Sequence, residues 1–514
     1  MTAARSEQAW LEDARTQVAR GEASTAQATL DRALQAFPRS LELRRLQAGL
    51  LLRSGHTAQA EGLLRAVLAD RAGDAGAAFA LARLLKAQGR MAVAAATLKA
   101  CLGSDGRDPD AGLAIAALEL LDDCDRKRDA ADIAETALEA APNDARLHAY
   151  TGMLAIQLGE FERARRHDLF ALEHDPRAWE WHVPLGLAAT QRYASASHDD
   201  FARFANGLQR EGLSDQARAE LHFALGKAHD DVGDYAQAAA HFRRGNTLMQ
   251  AIVQWPRRTW RRALRARLAA APLAASAAPA ERFTPIFIVG MPRSGTTLLA
   301  ELLARHAGVL NRGELPWIAR LAGQPALAGN PGASELTRVA ATYVMQARRD
   351  DAADARWFID KQPLNFRYVD LMLALFPDAK IIYSRRSARD TALSLWTQCF
   401  LESVQGYSYG FDDIAVVMRD CDQLMAHWQQ RFPGAIRTVD YAHCVTDPDA
   451  TIAALAEWIG LPEAQNAEPT PPRSKAAISS ASLWQARQPV HTRSVHRAAH
   501  YLPYVPELER WPDA

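Results

Sequence analysis

The chain has 514 residues, of which 48% are hydrophobic and 23% are charged, values that are ordinary for packed globular domains and exclude wholesale disorder. Its 60 basic and 60 acidic residues give a formal net charge of zero. This balance excludes a general nucleic-acid binder, which normally carries a basic excess, but it is compatible with a local basic pocket for a small anion.

The cysteine pattern and the apolar segments bear on the compartment. We expect neither a disulfide framework nor a zinc site, because the cysteines are few, odd in number and without a C-x-x-C pair. The N-terminal residues lack the apolar segment of a secretory signal, and no stretch has the length and apolar character that a bilayer span requires. The expected location is the cytoplasm.

A period of 34 residues runs through the first half of the chain, marked by Gly21, Gly55 and Gly89. The next two anchors in the same frame are Asp125 and Gly159. Each anchor is followed five residues later by an alanine, and three are followed seventeen residues later by a proline. The alanines are Ala26, Ala60, Ala94, Ala130 and Ala164, and the prolines are Pro38, Pro142 and Pro176.

This pattern predicts helix–turn–helix units, in which glycine serves the turn, alanine lets the two helices approach, and proline stops the second helix. The period and pattern resemble the tetratricopeptide repeat over residues 5–250, with a degenerate stretch near residues 180–215. We expect an all-α repeat superhelix over residues 1–254, and an alanine-rich bundle is the alternative. Such arrays present a concave surface to a peptide or protein, and a dimerisation scaffold is nearly as compatible with the sequence.

A change of composition between residues 255 and 283 predicts a connector. It begins with a basic, helical segment and continues as a stretch with prolines and few large apolar residues. The basic segment is most simply a solvated helix face, and a membrane or nucleic-acid patch is the alternative.

A phosphate-binding loop opens the second half of the chain. Residues 286–289 form a short buried-strand pattern, residues 290–297 read G-M-P-R-S-G-T-T, and residues 298–305 have a helical period. In this context the backbone N–H groups converge on a phosphate at the N-terminus of a helix. Gly290 and Gly295 allow the loop conformation, and the hydroxyls come from Ser294, Thr296 and Thr297.

This loop departs from the Walker A pattern, because Thr296 stands where the phosphate-binding lysine should be and the cation comes earlier, as Arg293. That departure argues against ATP hydrolysis. The sequence P-R-S-G-T-T resembles the loop of sulfotransferases that grips the 5′-phosphosulfate of 3′-phosphoadenosine 5′-phosphosulfate (PAPS). A P-loop kinase stays open as an alternative.

A second motif lies about 90 residues further on, where a strand at residues 380–383 is followed by a basic turn and a helix. Arg386 and Ser394 are eight residues apart and bracket Arg389 and Asp390. An arginine–serine pair at this spacing resembles the one that binds the 3′-phosphate of PAPS in sulfotransferases. Arginine suits that role because its planar guanidinium offers paired donors.

Two later segments extend the resemblance, which covers residues 284–505. A strand–tyrosine–helix segment implies that Tyr441 lies near the adenine-ribose end of the donor, and core packing is the other reading of this tyrosine. The final stretch resembles the C-terminal segment of repeat-bearing sulfotransferases and, more loosely, of protein-tyrosine sulfotransferases. There Ser482 implies a donor contact, and the candidates to close over the nucleotide are Arg493, Ser494 and Arg497.

The catalytic residues are also implied by resemblance to the protein-tyrosine sulfotransferases. Glu314, twenty-one residues beyond Arg293, corresponds to their catalytic base. Arg293 and Lys361 would stabilise the transition state, although Gln362 stands where those enzymes commonly have an acidic residue. The alternative base is His306, placed within the first helix of the domain, and the alternative role of Lys361 is an ion pair with Asp360. No metal is expected.

These observations predict a C-terminal α/β P-loop-like sulfotransferase domain with a central parallel sheet over residues 284–514. The expected function is PAPS-dependent transfer of a sulfuryl group to an acceptor hydroxyl, with a peptide or protein tyrosine as the favoured acceptor. The alternatives are a small alcohol, a phenol, a glycan or a lipid head group as acceptor, a P-loop kinase, or a non-catalytic scaffold. Substrate binding through the repeats and a homodimer are further expectations.

Overall fold

The computed structural model describes residues 5–103, 110–276, 283–327, 331–350, 355–400, 403–462 and 490–511. The chain divides into two compact units, one of residues 1–147 with 349–351, and one of residues 148–348 with 352–514. The domain limits predicted above follow the repeat pattern and not compactness, and they stay a prediction.

The first unit contains four helical pairs whose starts and turns are encoded locally. Ser6, Ser40, Asp74 and Asp110 precede the first helix of each pair, and each side chain accepts a hydrogen bond from a backbone N–H of the first turn. Such caps satisfy N–H groups that have no partner inside the helix. The helices are α1 (Glu7–Ala19), α2 (Ala23–Ala36), α3 (Leu41–Arg53), α4 (Thr57–Asp70), α5 (Ala75–Ala87), α6 (Met91–Gly103), α7 (Ala111–Asp123) and α8 (Lys127–Ala140).

The predicted turn and alanine positions behave as expected in these pairs. Asp125 adopts a φ of 57° at the position where the other repeats have glycine in the left-handed region. Aspartate is one of the few residues with a side chain that tolerates this conformation. Ala26, Ala60, Ala94 and Ala130 are all 0% exposed, so each second helix packs closely at its alanine.

The second unit begins with repeat helices and includes the predicted degenerate stretch as a 3₁₀ helix (Pro176–Glu180) and two short helices. A Cβ atom at Gly226 would lie 2.6 Å from the ring of Phe242, so the last two repeat helices depend on this glycine for their close contact. The helices are α9 (Ala145–Leu158), α10 (Phe161–His174), α11 (Val183–Ala189), α12 (Asp199–Leu208), α13 (Asp215–Asp231) and α14 (Tyr235–Ile252).

The first half of the predicted connector is a packed helix, α15 (Arg257–Leu268). Trp260 is buried, and its indole N–H donates to the carboxylate of Asp420 at 2.8 Å. The arginines at 258, 261, 262 and 265 are exposed, as predicted for a solvated basic face.

The remainder of the second unit is built on a five-stranded parallel sheet with the strand order β2-β3-β1-β4-β5. The strands are β1 (Thr284–Gly290), β2 (Val309–Asn311), β3 (Trp357–Asp360), β4 (Lys380–Arg385) and β5 (Ile436–Asp440). The helices are α16 (Thr296–Leu303), α17 (Trp317–Ala322), α18 (Ala333–Arg348), α19 (Val369–Leu375), α20 (Ala388–Trp396), α21 (Phe411–Arg431), α22 (Tyr441–Thr446) and α23 (Pro448–Ile459). The 3₁₀ helices are Pro325–Leu327, Pro363–Tyr368, Ser403–Tyr409, Arg497–His500 and Pro506–Arg510.

Both faces of the sheet are buried, which explains the continuous apolar run of β1. Phe287 and Val289 join the larger core with helices α18 and α21, whereas Ile286 and Ile288 join the core formed with α16 and α23. Parallel strands covered by helices on both faces read as uninterrupted apolar segments. Their carboxyl ends meet at one edge, and the connections that follow β1, β2, β3 and β4 are therefore neighbours there.

Among the described helices, none combines the length and the apolar character that crossing a membrane would require.

Candidate functional site

The loop between β1 and α16 depends on glycine at two positions. Gly290 has a φ of 144°, and a Cβ atom there would lie 2.4 Å from the backbone oxygen of Ser384. Gly295 has a φ of 101°, and a Cβ atom there would lie 2.5 Å from the ring of Tyr441. Both positions therefore need glycine for backbone conformation and for close approach.

Arg293 lies between these glycines with a φ of 73°, in a region that a residue with a side chain rarely adopts. Strain of this kind costs on the order of 1–3 kcal/mol and is concentrated at functional sites. The conformation brings the Nε of Arg293 to 3.1 Å from the Oγ of Ser394. The predicted loop cation and the serine of the second motif are thus in direct contact.

Arg386 completes this group from the end of β4. One of its terminal nitrogens donates to the carbonyl oxygen of Arg293 at 3.0 Å, and its guanidinium carbon lies 5.1 Å from the centre of the Tyr441 ring. Its Nε atom is buried and has no hydrogen-bond partner among the described residues. The Oγ of Ser294 is likewise buried and has no hydrogen-bond partner among the described residues. Two buried donors therefore remain for a ligand.

The electrostatics of the loop favour an anion. Burial, followed by the nearby cations Arg386 and Arg497, lowers the pKa of Arg293 to about 10. Burial also lowers the pKa of Arg386. Cations that destabilise one another in a desolvated pocket are stabilised when a polyanion binds between them.

The C-terminal segment, residues 490–511, lies against the same site. Arg386 donates a hydrogen bond to the carbonyl oxygen of Ser494. The carboxylate of Asp390 accepts from the backbone N–H groups of His496 and Ala498, each at 2.8 Å. These contacts hold Arg497, the residue between them, at the pocket.

Arg389 has a different role from Arg386. Its guanidinium donates to the carbonyl oxygens of Leu508 and Trp511. This arginine therefore secures the end of the C-terminal segment.

Glu314 and Lys361 meet at the carboxyl ends of β2 and β3. Their side chains form an ion pair, in which Lys361 is 3% exposed and the Glu314 side chain is 31% exposed. Lys361 pairs with Glu314, whereas the carboxylate of the neighbouring Asp360 accepts a hydrogen bond from Tyr343 at 2.9 Å. Glu314 lies close enough to Arg293 to raise the pKa of that arginine against the lowering caused by burial.

A cavity of 970 Å³ opens over the loop. The predicted residues that line it come from the loop, from the second motif and from the C-terminal segment. They are Arg293, Gly295, Thr296, Thr297, Arg386, Ser394, Tyr441, Arg493, Ser494 and Arg497. Ser294 belongs to the loop but is buried, and Ser294, Glu314 and Lys361 are all outside the lining.

Two further predicted residues, Ser482 and His306, remain to be placed. Ser482 lies outside the described residues. His306 is not within the first helix of this part of the chain, because α16 ends at Leu303, and His306 is not in the cavity lining.

The sequence reasoning missed that repeat helices line the same cavity. Arg192 follows α11, and the cavity side of α13 carries Lys227, Asp230 and Asp231. The sequence did contain an indication of this. Three charged residues at positions i, i+3 and i+4 share one face of α13 beside the buried Gly226, and such a charged face is unusual on a helix that packs within an array.

The fold and site define a class: an α/β domain with a glycine-bearing anion loop after its first strand and arginines that converge on that loop from two other segments. Residues 285–465 match the family model described as the sulfotransferase family. This part of the chain is thus a sulfotransferase domain, and it is preceded by tetratricopeptide-like repeats.

Three known proteins illustrate the similarity. An "Uncharacterized protein" of Aquifex aeolicus (strain VF5) is 31% identical over 239 residues, which cover 43% of this chain and 31% of that protein. The chain thus spans about a third of the length of this curated relative.

Two solved structures are also similar. The sulfotransferase domain of the Synechococcus PCC 7002 olefin synthase is 18% identical with a TM-score of 0.32, covering 46% of this chain and 97% of that one. A tetratricopeptide repeat protein from Parabacteroides merdae ATCC 43184 is 16% identical with a TM-score of 0.28, covering 47% of this chain and 93% of that one.

Proposed function

We propose that the protein transfers a sulfuryl group from PAPS to a hydroxyl group, and that the acceptor is a tyrosine of a peptide or protein. The contact of Arg293 with both Ser394 and Arg386 carries the proposal, because it joins the loop for the 5′-phosphosulfate to the pair suited to the 3′-phosphate. ATP lacks the 3′-phosphate and would leave that pair unused.

The residues present fit this donor. The cavity lining has six cationic side chains and two carboxylates, an excess of four positive charges. PAPS carries about four negative charges at neutral pH. The unpartnered Oγ of Ser294 and Nε of Arg386 supply donors where a phosphorylated ligand would need them.

Each predicted donor contact has a proposed role in this arrangement. The loop amides with Thr296 and Thr297 would bind the 5′-phosphosulfate at the N-terminus of α16. Arg386 and Ser394 would bind the 3′-phosphate, and Tyr441, which lies against Gly295, would contact the nucleoside. Arg497 would close over the donor from the C-terminal segment, and Ser482 is kept as a proposed contact.

When bound, PAPS supplies a sulfuryl group attached to a phosphate that can leave. Glu314 would accept the proton of the acceptor hydroxyl as the new S–O bond forms and the bond to the phosphate breaks. Lys361 and Arg293 would hold the negative charge that develops on the sulfonate and phosphate oxygens. The Glu314–Lys361 ion pair supports this assignment, because it brings the proposed base and a proposed cation together at the carboxyl ends of β2 and β3.

The partial exposure of the Glu314 carboxylate supports a large acceptor, since a tyrosine on a protein surface could approach it. We propose that the repeats bind such a partner or a second copy of the chain. A reducing compartment such as the cytoplasm is also proposed, because the five cysteines are buried and form no disulfide.

The test is calorimetric titration of the full chain with adenosine 3′,5′-bisphosphate (PAP) and with ATP. We expect micromolar PAP binding, much weaker ATP binding, and loss of PAP binding in Arg386→Ala. The matched control is Arg385→Ala, because Arg385 is the exposed last residue of β4 and immediately precedes Arg386. Equal affinity for PAP and ATP would contradict the proposed donor.

A further inference from the structure

The cavity over the phosphate loop has a second wall that belongs to the repeat helices. One part of its apolar surface comes from α9, α10 and α11, within the second compact unit: Ile156, Phe161, Leu185, Ala188 and Ala189. The other part comes from Phe223 of α13 and from Tyr235 and Phe242 of α14. A Cβ atom at Gly186 would lie 3.2 Å from the Cδ1 of Ile156, so α9 and α11 form one continuous surface.

The phosphate anchors fix how a nucleotide would lie in this cavity. Arg293 and Arg386 would hold its charged groups at the carboxyl edge of the sheet, where the guanidinium carbon of Arg386 lies 5.1 Å from the ring centre of Tyr441, the first residue of α22. A purine has two apolar faces that gain free energy when they leave water. The sheet domain contributes Leu298 and Val445 to the lining, and the repeats contribute the apolar surface described above.

The last repeat helix, α14, is fixed to the sheet domain by hydrogen bonds. The amide of Asn246 donates to the carbonyl oxygen of Trp396 at 2.9 Å, and the amide of Gln250 donates to that of Tyr409 at 2.7 Å. Asn246 is buried, and loss of such a bond leaves a buried polar group unsatisfied. Because α11 packs on α13 and α13 packs on α14, these bonds also support the wall helix α11.

We propose that the repeat helices α9–α11 form the purine subsite of the donor pocket, with the base seated between them and the Leu298–Val445 surface. This inference rests on the proposed function, because it assumes a nucleotide donor. The array would then act on catalysis directly, by binding one of the two reactants, in addition to any partner that it recruits.

The test compares two alanine positions on repeat helices. Ala189 is exposed and lines the cavity, whereas Ala240 is exposed on α14 and is outside the lining. We expect Ala189→Trp to raise the Kd for PAP by about tenfold or more, since the indole would occupy the space of the base. Ala240→Trp should leave that Kd unchanged. Both variants should bind inorganic pyrophosphate, which has no base, as the unaltered protein does.

A second variant guards against a folding defect in Ala189→Trp. Ile156→Ala removes apolar surface from the same wall and should weaken PAP binding several-fold, with the melting temperature reported alongside. Unaltered PAP affinity in both Ala189→Trp and Ile156→Ala would overturn the purine subsite. Failure of the unaltered protein to bind PAP would instead overturn the proposed function, so the two failures are distinguishable.

Discussion

Arg497 of the C-terminal segment donates a hydrogen bond of 2.7 Å to the carboxylate of Asp230 in the last repeat. The second oxygen of that carboxylate accepts from the hydroxyl of Tyr501. Burial alone would lower the pKa of Arg497, but Asp230 raises it above the ordinary arginine value. A repeat residue therefore holds a proposed donor-binding arginine in position.

We expect Asp230→Asn to weaken PAP binding by about tenfold, because asparagine can still accept from Tyr501 but replaces the acceptor of Arg497 with a donor. The measurement is the PAP Kd at two salt concentrations, together with the melting temperature. Asp215→Asn, at an exposed position on the same helix, is the matched control. A lower melting temperature with an unchanged Kd would show that Asp230 serves only the fold.

Gly295→Ala should abolish measurable PAP binding, because the new Cβ would collide with the ring of Tyr441 and displace the loop. Gly434→Ala is the control for backbone strain, since Gly434 has a φ of 88° with no atom within 4 Å of the added Cβ. That control should lose about 1 kcal/mol of unfolding free energy and keep its PAP affinity. Equal PAP affinity in the two variants would remove the role assigned to the close approach.

Glu314→Gln should reduce kcat by about 10²- to 10⁴-fold, because the amide cannot accept the proton of the acceptor. PAP affinity should change little, since Glu314 is outside the cavity lining. The measurement is release of PAP from PAPS with a tyrosine peptide, compared with Glu457→Gln at an exposed position of α23. A parallel loss of PAP binding would instead indicate that Glu314 organises the donor site.

Asp360 predicts a pH dependence of stability. Burial raises its pKa to about 7, although the hydrogen bond from Tyr343 opposes that rise. Between the ordinary pKa of 3.8 and the raised pKa of about 7, the native state keeps a proton that the unfolded state has already released. This contribution to stability is complete below the ordinary pKa of 3.8 and is lost as the pH rises towards 7.

Asp360→Asn should remove this dependence while keeping an acceptor for Tyr343. We expect the unaltered protein to lose on the order of 1–3 kcal/mol more unfolding free energy than the variant between pH 4.5 and pH 7.5. Urea unfolding at both pH values measures the difference. Identical pH profiles would show that the Asp360 carboxyl is ionised throughout.

Much of the fold and part of the site were predictable because their signals are local. The repeat anchors, the strand–loop–helix at Gly290–Leu303 and the Arg386–Ser394 spacing each depend on residues close together in sequence. The periodic caps Ser6, Ser40, Asp74 and Asp110 carried the same kind of signal.

The rest depends on contacts between distant segments. Asp230 meets Arg497 across 267 positions, and Trp260 of the predicted connector meets Asp420 across 160. A helix pattern reports which face is apolar, but it does not report which element will cover that face. The short strand β2, with three residues, and its position at the edge of the sheet were equally beyond a periodicity argument.

The anchoring of Asn246 and Gln250 on carbonyl oxygens of the sheet domain has a consequence for gene recombination. A crossover that joined a different repeat array at residue 284 would discard both amides and leave buried carbonyl groups without donors. Recombination that exchanged the repeat helices and the sheet domain independently would therefore destabilise the product. A shuffled gene would need to carry residues 148–252 along with the sheet.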